Sequence, residues 1–300
     1  MKTKIYTLDE TSPFYLDQDK VYQDWRQDKL KAYPIDPKDL VIELKDPLSL
    51  RPSELRAITD RCERYNMVIY SSQWSHVDDR RFLGVLGEQL GLEHLDDHRF
   101  TGQDNISAIK ICSDGRIQDF IPYTDRSINW HTDGYYNSLD RQIRGMILHC
   151  VSPSATGGEN ALMDHEILYI LMRDENPDYV RALMDLEAMT LPAIIEDGLV
   201  IRDERKGPVF SIDPVTGALH MRYTARTRSI KWKEDPVIQS AVQYLESLLN
   251  SDLPYMIKHR MEAGQGVICN NTLHKRKAFK NSSESERLMY RARYYNRITN

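Results

Sequence analysis

The hydrophobic pattern of the first hundred residues predicts helices separated by short strands. Apolar residues recur at helical spacing in Pro52–Tyr65, where Leu55, Ile58 and Cys62 fall on one face. This segment leads into a compact β-type run. Two more helices are predicted at Lys20–Lys31 and Arg80–Leu90, and two strands at Leu40–Leu44 and Met67–Tyr70.

After residue 100 the pattern changes to short strand-like runs, each closed by turn residues. The predicted strands are Ile106–Cys112, Ile128–His131, Gly145–Val151, Ala161–Met163, Val209–Ile212, Leu219–Tyr223, Tyr255–Met261, Gly266–Cys269 and Leu288–Tyr295. Helical inserts are predicted between them, at Glu166–Arg173, Pro177–Leu186 and Pro236–Leu249. Strands and helices do not alternate regularly, which disfavours a doubly wound parallel sheet. The predicted fold class is α+β, with a double-stranded β-helix (jelly-roll) core and flanking helices.

The domain organisation follows from length and from the lack of a linker in the sequence. The 300 residues contain no internal repeat and no tract rich in Pro, Gly and Ser. A chain of this length is long enough for one large domain. We therefore predict a single domain over residues 1–300, with an N-terminal extension at 1–35 and the jelly-roll core with its helical inserts at 100–297.

Composition narrows the class of protein. Hydrophobic residues make up 41% and charged residues 28% of the chain, as in folded soluble enzymes. No apolar run approaches the roughly 18 residues of a membrane helix, and the start lacks the apolar core of a secretory signal. The four cysteines form no metal-binding spacing, which predicts reduced thiols in a cytoplasmic protein. The net charge of −5 disfavours nucleic acid as a partner.

One histidine–aspartate triplet has the context of a metal site. In the predicted strand that ends at His131, residues two apart project to the same side, so His131 and Asp133 can both face a barrel interior. Two imidazoles and one carboxylate leave three positions open on an octahedral metal, which suits iron(II). Two other such triplets, His76-Val77-Asp78 and His94-Leu95-Asp96, lie in polar N-terminal stretches and are expected at the surface.

Four motifs resemble, in order and spacing, those of the taurine dioxygenase family of iron(II)/2-oxoglutarate oxygenases. The similarity extends from about Val41 to Arg297. The motifs are WHTDG at 130–134, SATGGEN at 154–160, NNTLHKRKAF at 270–279 and RLMYR at 287–291. The resemblance implies a jelly roll in which His131, Asp133 and His274 are the metal and catalytic ligands. It also implies Fe(II), 2-oxoglutarate as cosubstrate, and O2.

The resemblance assigns Arg287 to the distal carboxylate of 2-oxoglutarate, where a planar guanidinium can form two parallel hydrogen bonds. Strand alternation places Arg291 on the same face as Arg287. The family often has a threonine after the paired glycines, and this chain has Asn160, whose amide can also donate a hydrogen bond. From the residues alone, solvated strand arginines and a turn asparagine stay open as alternatives.

Candidates for substrate binding come from the same comparison. Arg291 matches the family position that binds an anionic group, which predicts a carboxylate, sulfonate or phosphate on the substrate. Tyr135 and Tyr136 follow the metal motif and are predicted to line the pocket, with ordinary packing as the alternative. Asp133 indicates hydroxylation or another oxidative outcome and not halogenation, because related halogenating enzymes lack this carboxylate. Weaker candidates in this region are Tyr123, Asn129 and His98.

The predicted function is an Fe(II)- and 2-oxoglutarate-dependent dioxygenase that hydroxylates a small anionic molecule and releases succinate and CO2. A zinc hydrolase or a keto-acid-independent iron oxygenase is one alternative, and a non-catalytic jelly-roll binding module is another. A nucleic-acid oxygenase would use Lys275, Arg276 and Lys277 at phosphates, but this cluster more often forms a solvated loop. Self-association into a homo-oligomer is left open.

Overall fold

The structure is a computed structural model that describes residues 8–34, 36–74, 79–97, 101, 103–112, 120–226 and 230–299. Those residues divide into two compact units. The helical unit contains residues 1–33, 130–142 and 163–255, and the sheet unit contains residues 34–129, 143–162 and 256–300. The prediction of one domain over the whole chain stays a prediction.

The described residues contain six α-helices and nineteen strands, a mixed α and β architecture. The helices are α1 (Asp19–Ala32), α2 (Pro52–Tyr65), α3 (Phe82–Gln89), α4 (His165–Glu175), α5 (Pro177–Leu183) and α6 (Pro236–Asn250). The strands of the sheet unit are β1 (Val41–Leu44), β2 (Met67–Ser72), β3 (Ser107–Ile109), β4 (Ile128–His131), β5 (Gly145–Ser152), β6 (Thr156–Gly157), β7 (Asn160–Met163), β15 (Ile257–His259), β16 (Gln265–Cys269), β17 (Leu273–Arg276), β18 (Phe279–Lys280) and β19 (Leu288–Tyr294), where β4 and β7 end in the helical unit. The strands of the helical unit are β8 (Met189–Leu191), β9 (Ile194–Glu196), β10 (Leu199–Arg202), β11 (Arg205–Gly207), β12 (Phe210–Ile212), β13 (Leu219–Met221) and β14 (Lys231–Trp232).

The sheet unit is built on a six-stranded sheet with the order β1-β2-β16-β5-β19-β3. Only the β1–β2 pair is parallel among these neighbours. A four-stranded sheet has the order β15-β7-β17-β4, and β18 pairs with β6. The long antiparallel ladders join strands far apart in sequence, which places motifs from distant parts of the chain on neighbouring strands.

Helices α2 and α3 cover one face of the large sheet. Helix α2 begins at Pro52 and ends at Tyr65, and the following Asn66 caps it in a left-handed conformation with φ of 58°. Its buried side chains pack in one core cluster with Leu83 of α3 and with Tyr290, Ala292 and Tyr294 of β19. Because side chains alternate along a strand, the odd-numbered residues of β19 project to the opposite face. That face contributes to the candidate site described below.

The helical unit packs α1, α4, α5 and α6 with a three-stranded sheet, β11-β8-β14, and two hairpins, β9–β10 and β12–β13. Helix α4 begins at Asp164, whose carboxylate accepts the backbone N–H of Glu166. Both carboxylates also pair with the buried ammonium group of Lys29, at 2.7 and 2.5 Å. This buried network fixes α1 against α4.

The predicted element types agree with the structure, and the differences lie at ends and in short strands. Helix α2 has the predicted bounds, whereas α5 ends at Leu183, three residues before the prediction. Strands β9 and β10 were missed because their apolar residues are mostly exposed and give no burial pattern. Among the residues described, no helix combines the length and apolar character required to cross a bilayer.

The prediction that Asp96 lies at the surface is wrong. Its carboxylate is buried, pairs with the Arg293 guanidinium and accepts a 2.6 Å hydrogen bond from the Tyr295 hydroxyl. The buried Arg293 needs an acidic partner. The sequence around Asp96 gives no indication of this pairing, because the two residues are 197 positions apart. The triplet at 76–78 and His98 lie outside the described residues. The four cysteines, all described, are free thiols.

Candidate metal centre and cosubstrate pocket

The first two candidate ligands lie on a segment whose backbone is fixed on both sides. His131 ends β4, and Asp133 follows two residues later. The backbone N–H of Thr132 donates to the Tyr223 carbonyl at 3.0 Å, and the Thr132 hydroxyl accepts from the Tyr223 N–H at 3.1 Å. Gly134 then turns the chain with a φ of 63°. The strand and turn therefore hold both side chains in place.

His274 lies in β17, the neighbour of β4 in the four-stranded sheet. Its Nδ1 is 3.0 Å from the Thr272 carbonyl, a contact that assigns the proton to Nδ1 and leaves Nε2 as the ligand atom. One ligand atom each from His131, Asp133 and His274 lies within 4.8 Å of the others. Two imidazole nitrogens and a carboxylate oxygen are the donors of an iron(II) facial triad. The group fits the implied metal.

A separate pocket in the sheet unit surrounds Arg287. This side chain is 5% exposed, and its Nη1 has no hydrogen-bond partner among the described residues. Burial lowers the pKa of Arg287 to about 10, so the guanidinium stays protonated at neutral pH. A buried cation without a partner is costly, which makes this group a candidate for an anionic ligand. The pocket is lined by Cys150, Pro153, Ser154, Gly157, Gly158, Asn160, Arg260, Met261, Arg287 and Met289.

The paired glycines form one wall of this pocket. Gly157 and Gly158 both have a φ of 74°, a conformation that favours glycine. A β-carbon on Gly157 would lie 2.3 Å from the Ala278 carbonyl oxygen. A β-carbon on Gly158 would lie 2.9 Å from the Ser154 hydroxyl oxygen. The glycines are therefore required for close packing as well as for the turn.

Asn160 and Arg260 complete the polar lining. Asn160 begins β7, is 8% exposed and lines the same pocket as Arg287, so its predicted contact with the cosubstrate is sterically reasonable and stays a prediction. Arg260 was not predicted. Its guanidinium donates to the carbonyls of Gly157 and Ser154, at 3.1 and 2.6 Å, and so fixes the glycine turn. Its sequence neighbours form an ordinary short strand that gives no indication of this role.

The predicted substrate residues lie in different parts of the chain. Arg291 is 9% exposed and lies on the odd-numbered face of β19 with Met289. The rings of Tyr135 and Tyr136 meet edge to face, with centroids 5.2 Å apart. The Tyr135 carbonyl accepts a 2.8 Å hydrogen bond from the buried Arg222. The predicted roles of these residues stay predictions.

The weaker candidates differ in burial, and their roles stay predictions. Tyr123 is buried, and Asn129 is exposed in β4. The interpretation of Arg276 as part of a solvated loop is wrong, because this side chain is 5% exposed and donates to the carbonyls of Thr124 and Arg126. Lys277 pairs with Glu159 at 2.5 Å. Buried Arg276 is therefore unavailable to nucleic-acid phosphates.

Comparison with protein families identifies the group to which the molecule belongs. The profile of the taurine catabolism dioxygenase TauD, TfdA family matches residues 29–293. The chain belongs to this family. Enzymes of the family use Fe(II), 2-oxoglutarate and O2, and the group formed by His131, Asp133 and His274 has the matching donors. The resemblance predicted from the sequence is confirmed.

Individual relatives agree with this family. A uridine-5'-phosphate dioxygenase from Amycolatopsis sp is 27% identical over 170 residues, which cover 55% of this chain and 60% of the relative. The matched part therefore spans less than two thirds of that protein. A structure of AAD-2 with Mn(II) and N-oxalylglycine has a TM-score of 0.62, 14% identity, and coverage of 87% of this chain and 96% of that chain. A structure of asparagine oxygenase with Fe(II), 2S,3S-3-hydroxyasparagine and succinate has a TM-score of 0.55, 12% identity, and coverage of 96% and 92%.

The family and the dioxygenase relatives together indicate an Fe(II)/2-oxoglutarate-dependent dioxygenase that acts on a small molecule. The two solved structures show likeness of fold alone, since their identities are below 15%. A catalytically silent binding module is disfavoured because the metal-binding group is intact. The cofactors predicted from the sequence, Fe(II), 2-oxoglutarate and O2, are confirmed.

Proposed function

We propose that this protein hydroxylates a small anionic substrate, with 2-oxoglutarate as cosubstrate and with release of succinate and CO2. The observation that carries the proposal is the buried guanidinium of Arg287, whose Nη1 has no partner among the described residues. A zinc hydrolase needs no such anchor for a dicarboxylate. We also propose that the sheet order around β5, β16 and β19 and around β7 and β17 belongs to a jelly-roll core.

Each polar group has a defined task in this proposal. His131, Asp133 and His274 hold iron(II), and the Thr272 carbonyl keeps the His274 proton on Nδ1. When bound, iron(II) and the keto acid supply the oxidising chemistry. Arg287 binds the distal carboxylate and so orients the keto acid.

The glycine turn and Asn160 shape the cosubstrate pocket. Gly158 leaves space beside the Arg287 side chain, and the Asn160 amide donates to the distal carboxylate in place of the family's threonine. Arg260 holds the turn by its two carbonyl contacts. Met289 and Met261 limit the access of water.

The substrate is proposed to carry a negatively charged group. Arg291 is buried, lies on β19 with Met289 of the cosubstrate pocket and can pair with a carboxylate, sulfonate or phosphate. The relative from Amycolatopsis is named for a nucleoside monophosphate, which makes phosphate the first anion to test. Tyr135 and Tyr136 supply an aromatic wall.

Anaerobic reconstitution tests the proposed function. The protein is titrated with iron(II) and then with 2-oxoglutarate, and the weak visible charge-transfer band of the chelate is followed. We expect the band in the unaltered protein and its loss in His131→Ala and His274→Ala. Oxygen is then admitted with candidate substrates, and succinate is measured. Metal binding without the band or succinate would contradict the proposal and favour a hydrolase.

A further inference from the structure

A short ribbon in the helical unit places new side chains beside a metal ligand. His131 and Thr224 form an isolated antiparallel bridge. The Thr132 N–H donates to the Tyr223 carbonyl at 3.0 Å, and the Ala225 N–H donates to the Trp130 carbonyl at 2.8 Å. His131 and Thr224 are therefore a directly opposed pair without mutual backbone hydrogen bonds, the arrangement in which side chains lie closest.

Opposed residues of an antiparallel pair project to the same face, and so do residues two apart on one strand. Thr224 therefore shares the face of His131, and Arg226 follows two residues later and interacts electrostatically with Tyr135. Arg226 is partly buried, and none of the ion pairs among the described residues involves it. The sequence offers no indication of this position, because residues 224–226 lie outside every motif.

Tyr135 connects this face to a second arginine. Its hydroxyl shares a hydrogen bond with the Thr224 side chain and interacts electrostatically with Arg226 and Arg202. Burial raises the pKa of Tyr135, while Arg226 and Thr224 act in the opposite sense. Its backbone carbonyl accepts a hydrogen bond from Arg222.

Arg202 ends β10, and only part of its guanidinium is hydrogen-bonded. Its Nη2 donates to the Pro192 carbonyl at 2.8 Å, but its buried Nε has no partner among the described residues. Burial lowers the pKa of Arg202, and repulsion by Arg205 acts in the same direction. The groups that act on Arg202 include two tyrosines and an arginine but no carboxylate. Arg202 and Arg226 therefore both act on Tyr135, and among the described residues neither forms an ion pair with a carboxylate.

We propose that Arg202 and Arg226, with the hydroxyls of Tyr135 and Thr224, bind the phosphate of a phosphate monoester substrate beside His131. A phosphate monoester carries about −1.5 to −2 charges at neutral pH and three acceptor oxygens. Two guanidiniums match that charge, whereas one suffices for a carboxylate. The proposal rests on the proposed dioxygenase function, and it assigns the phosphate to Arg202 and Arg226 in place of Arg291.

Equilibrium binding tests the assignment. The protein is loaded anaerobically with iron(II) and 2-oxoglutarate, and binding of uridine-5'-phosphate, uridine and inorganic phosphate is measured by calorimetry. We expect Arg202→Gln and Arg226→Gln to weaken binding of uridine-5'-phosphate by about 10–100-fold each, the usual range for a lost charge-assisted hydrogen bond. Binding of uridine should change little, and Arg226→Lys should retain part of the affinity.

Arg181→Gln is the matched control, because it removes the same charge from an exposed helix position whose partners are Asp17 and Asp178. The charge-transfer band of each variant verifies that the protein is folded and binds 2-oxoglutarate. Loss of the band in the unaltered protein would contradict the proposed function itself. With the band intact, equal phosphate binding by Arg226→Gln and the unaltered protein, or no preference for uridine-5'-phosphate over uridine, would overturn the phosphate assignment. Loss confined to Arg291→Gln would also overturn it, since the anion would then be held at Arg291 alone.

Discussion

Gly158 lies beside Arg287, and the neighbouring Ser154 hydroxyl leaves no room there for a larger residue. A β-carbon on Gly158 would be 3.7 Å from the Arg287 Nε and 2.9 Å from the Ser154 hydroxyl oxygen. The first distance is ordinary contact, whereas the second requires the serine to move. A side chain at position 158 would therefore disturb the residues around Arg287, the proposed anchor for 2-oxoglutarate.

We expect Gly158→Ala to weaken 2-oxoglutarate binding by about tenfold, because the methyl group displaces Ser154 toward the pocket and strains the positive φ. Titration of the charge-transfer band measures the affinity. Gly198→Ala is a matched control, since Gly198 has a φ of 79° but has nothing within 4 Å of its added β-carbon. Gly198→Ala should lower stability by about 1 kcal/mol without changing the affinity. Equal effects of the two variants on affinity would contradict the prediction.

Arg287→Gln should abolish the preference for a dicarboxylate. Removal of the guanidinium leaves the distal carboxylate of 2-oxoglutarate without its cation, so the affinity should fall by about 10–100-fold. Pyruvate has the same keto-acid group without the distal carboxylate, and its weak binding should be unchanged. The ratio of the two affinities, measured by competition for the iron(II) protein, checks the prediction. A retained ratio would show that the distal carboxylate is bound elsewhere.

His149 makes stability depend on pH in the acidic range. Burial lowers the pKa of His149 to about 4, while its Nδ1 contacts the Tyr70 hydroxyl at 2.8 Å and its Nε2 contacts the Trp74 carbonyl at 3.0 Å. Between pH 6.5 and 4 the unfolded chain therefore binds more protons than the folded chain, so stability falls as the pH falls. At pH 5 the loss from this residue should be about 2 kcal/mol relative to pH 7.5.

His149→Asn isolates this contribution, because the amide oxygen can still accept from Tyr70 and does not titrate. Urea unfolding at pH 7.5 and pH 5 gives the free energy of unfolding for both proteins. The variant should be less stable at pH 7.5 but should lose about 2 kcal/mol less on acidification. The same pH dependence in both proteins would assign the acid sensitivity to other groups.

The predictions for the metal ligands and for Arg287 rest on local motifs and on the family resemblance that these motifs carry. Strand alternation around His131 and the arginine spacing near β19 are properties of neighbouring residues. In the structure, His131 ends β4 and the buried Arg287 directly precedes β19. The strand containing His274 was not predicted as a strand, since four residues between turns give little periodicity. Its role came from the family resemblance alone.

Other site residues depend on contacts between distant segments. Arg260 reaches carbonyls more than 100 residues away, and Arg202 follows a hairpin whose apolar residues are exposed. Neither has a periodic or motif context. Asp96 was assigned to the surface for the same reason, although its partner Arg293 was visible as a charged residue in a buried strand. Long-range partners of buried charges were thus the main feature that the sequence concealed.

Arg222 and Arg226 lie in one short segment, and we expect Arg222 to stabilise the fold and Arg226 to bind the substrate. Arg222 is 2% exposed and donates to the carbonyls of Tyr135, Met189, Gly207 and Arg205 at 2.8 to 3.3 Å. Its removal leaves these acceptors buried without donors, so Arg222→Gln should lower the free energy of unfolding by about 3 kcal/mol or more. Arg226→Gln removes no such contact and should change it by less than about 0.5 kcal/mol.

Urea unfolding and calorimetric binding of uridine-5'-phosphate, measured on both variants, distinguish the two roles. We expect Arg226→Gln to keep its stability and lose phosphate affinity. Arg222→Gln should lose stability, and its affinity for uridine-5'-phosphate should fall only because Tyr135 is displaced. Arg222→Lys keeps a donor for some of the carbonyls, so it should restore part of the stability and part of the affinity. A stable Arg222→Gln variant would contradict the structural role. An Arg226→Gln variant destabilised as strongly as Arg222→Gln would show that residue 226 also supports the fold.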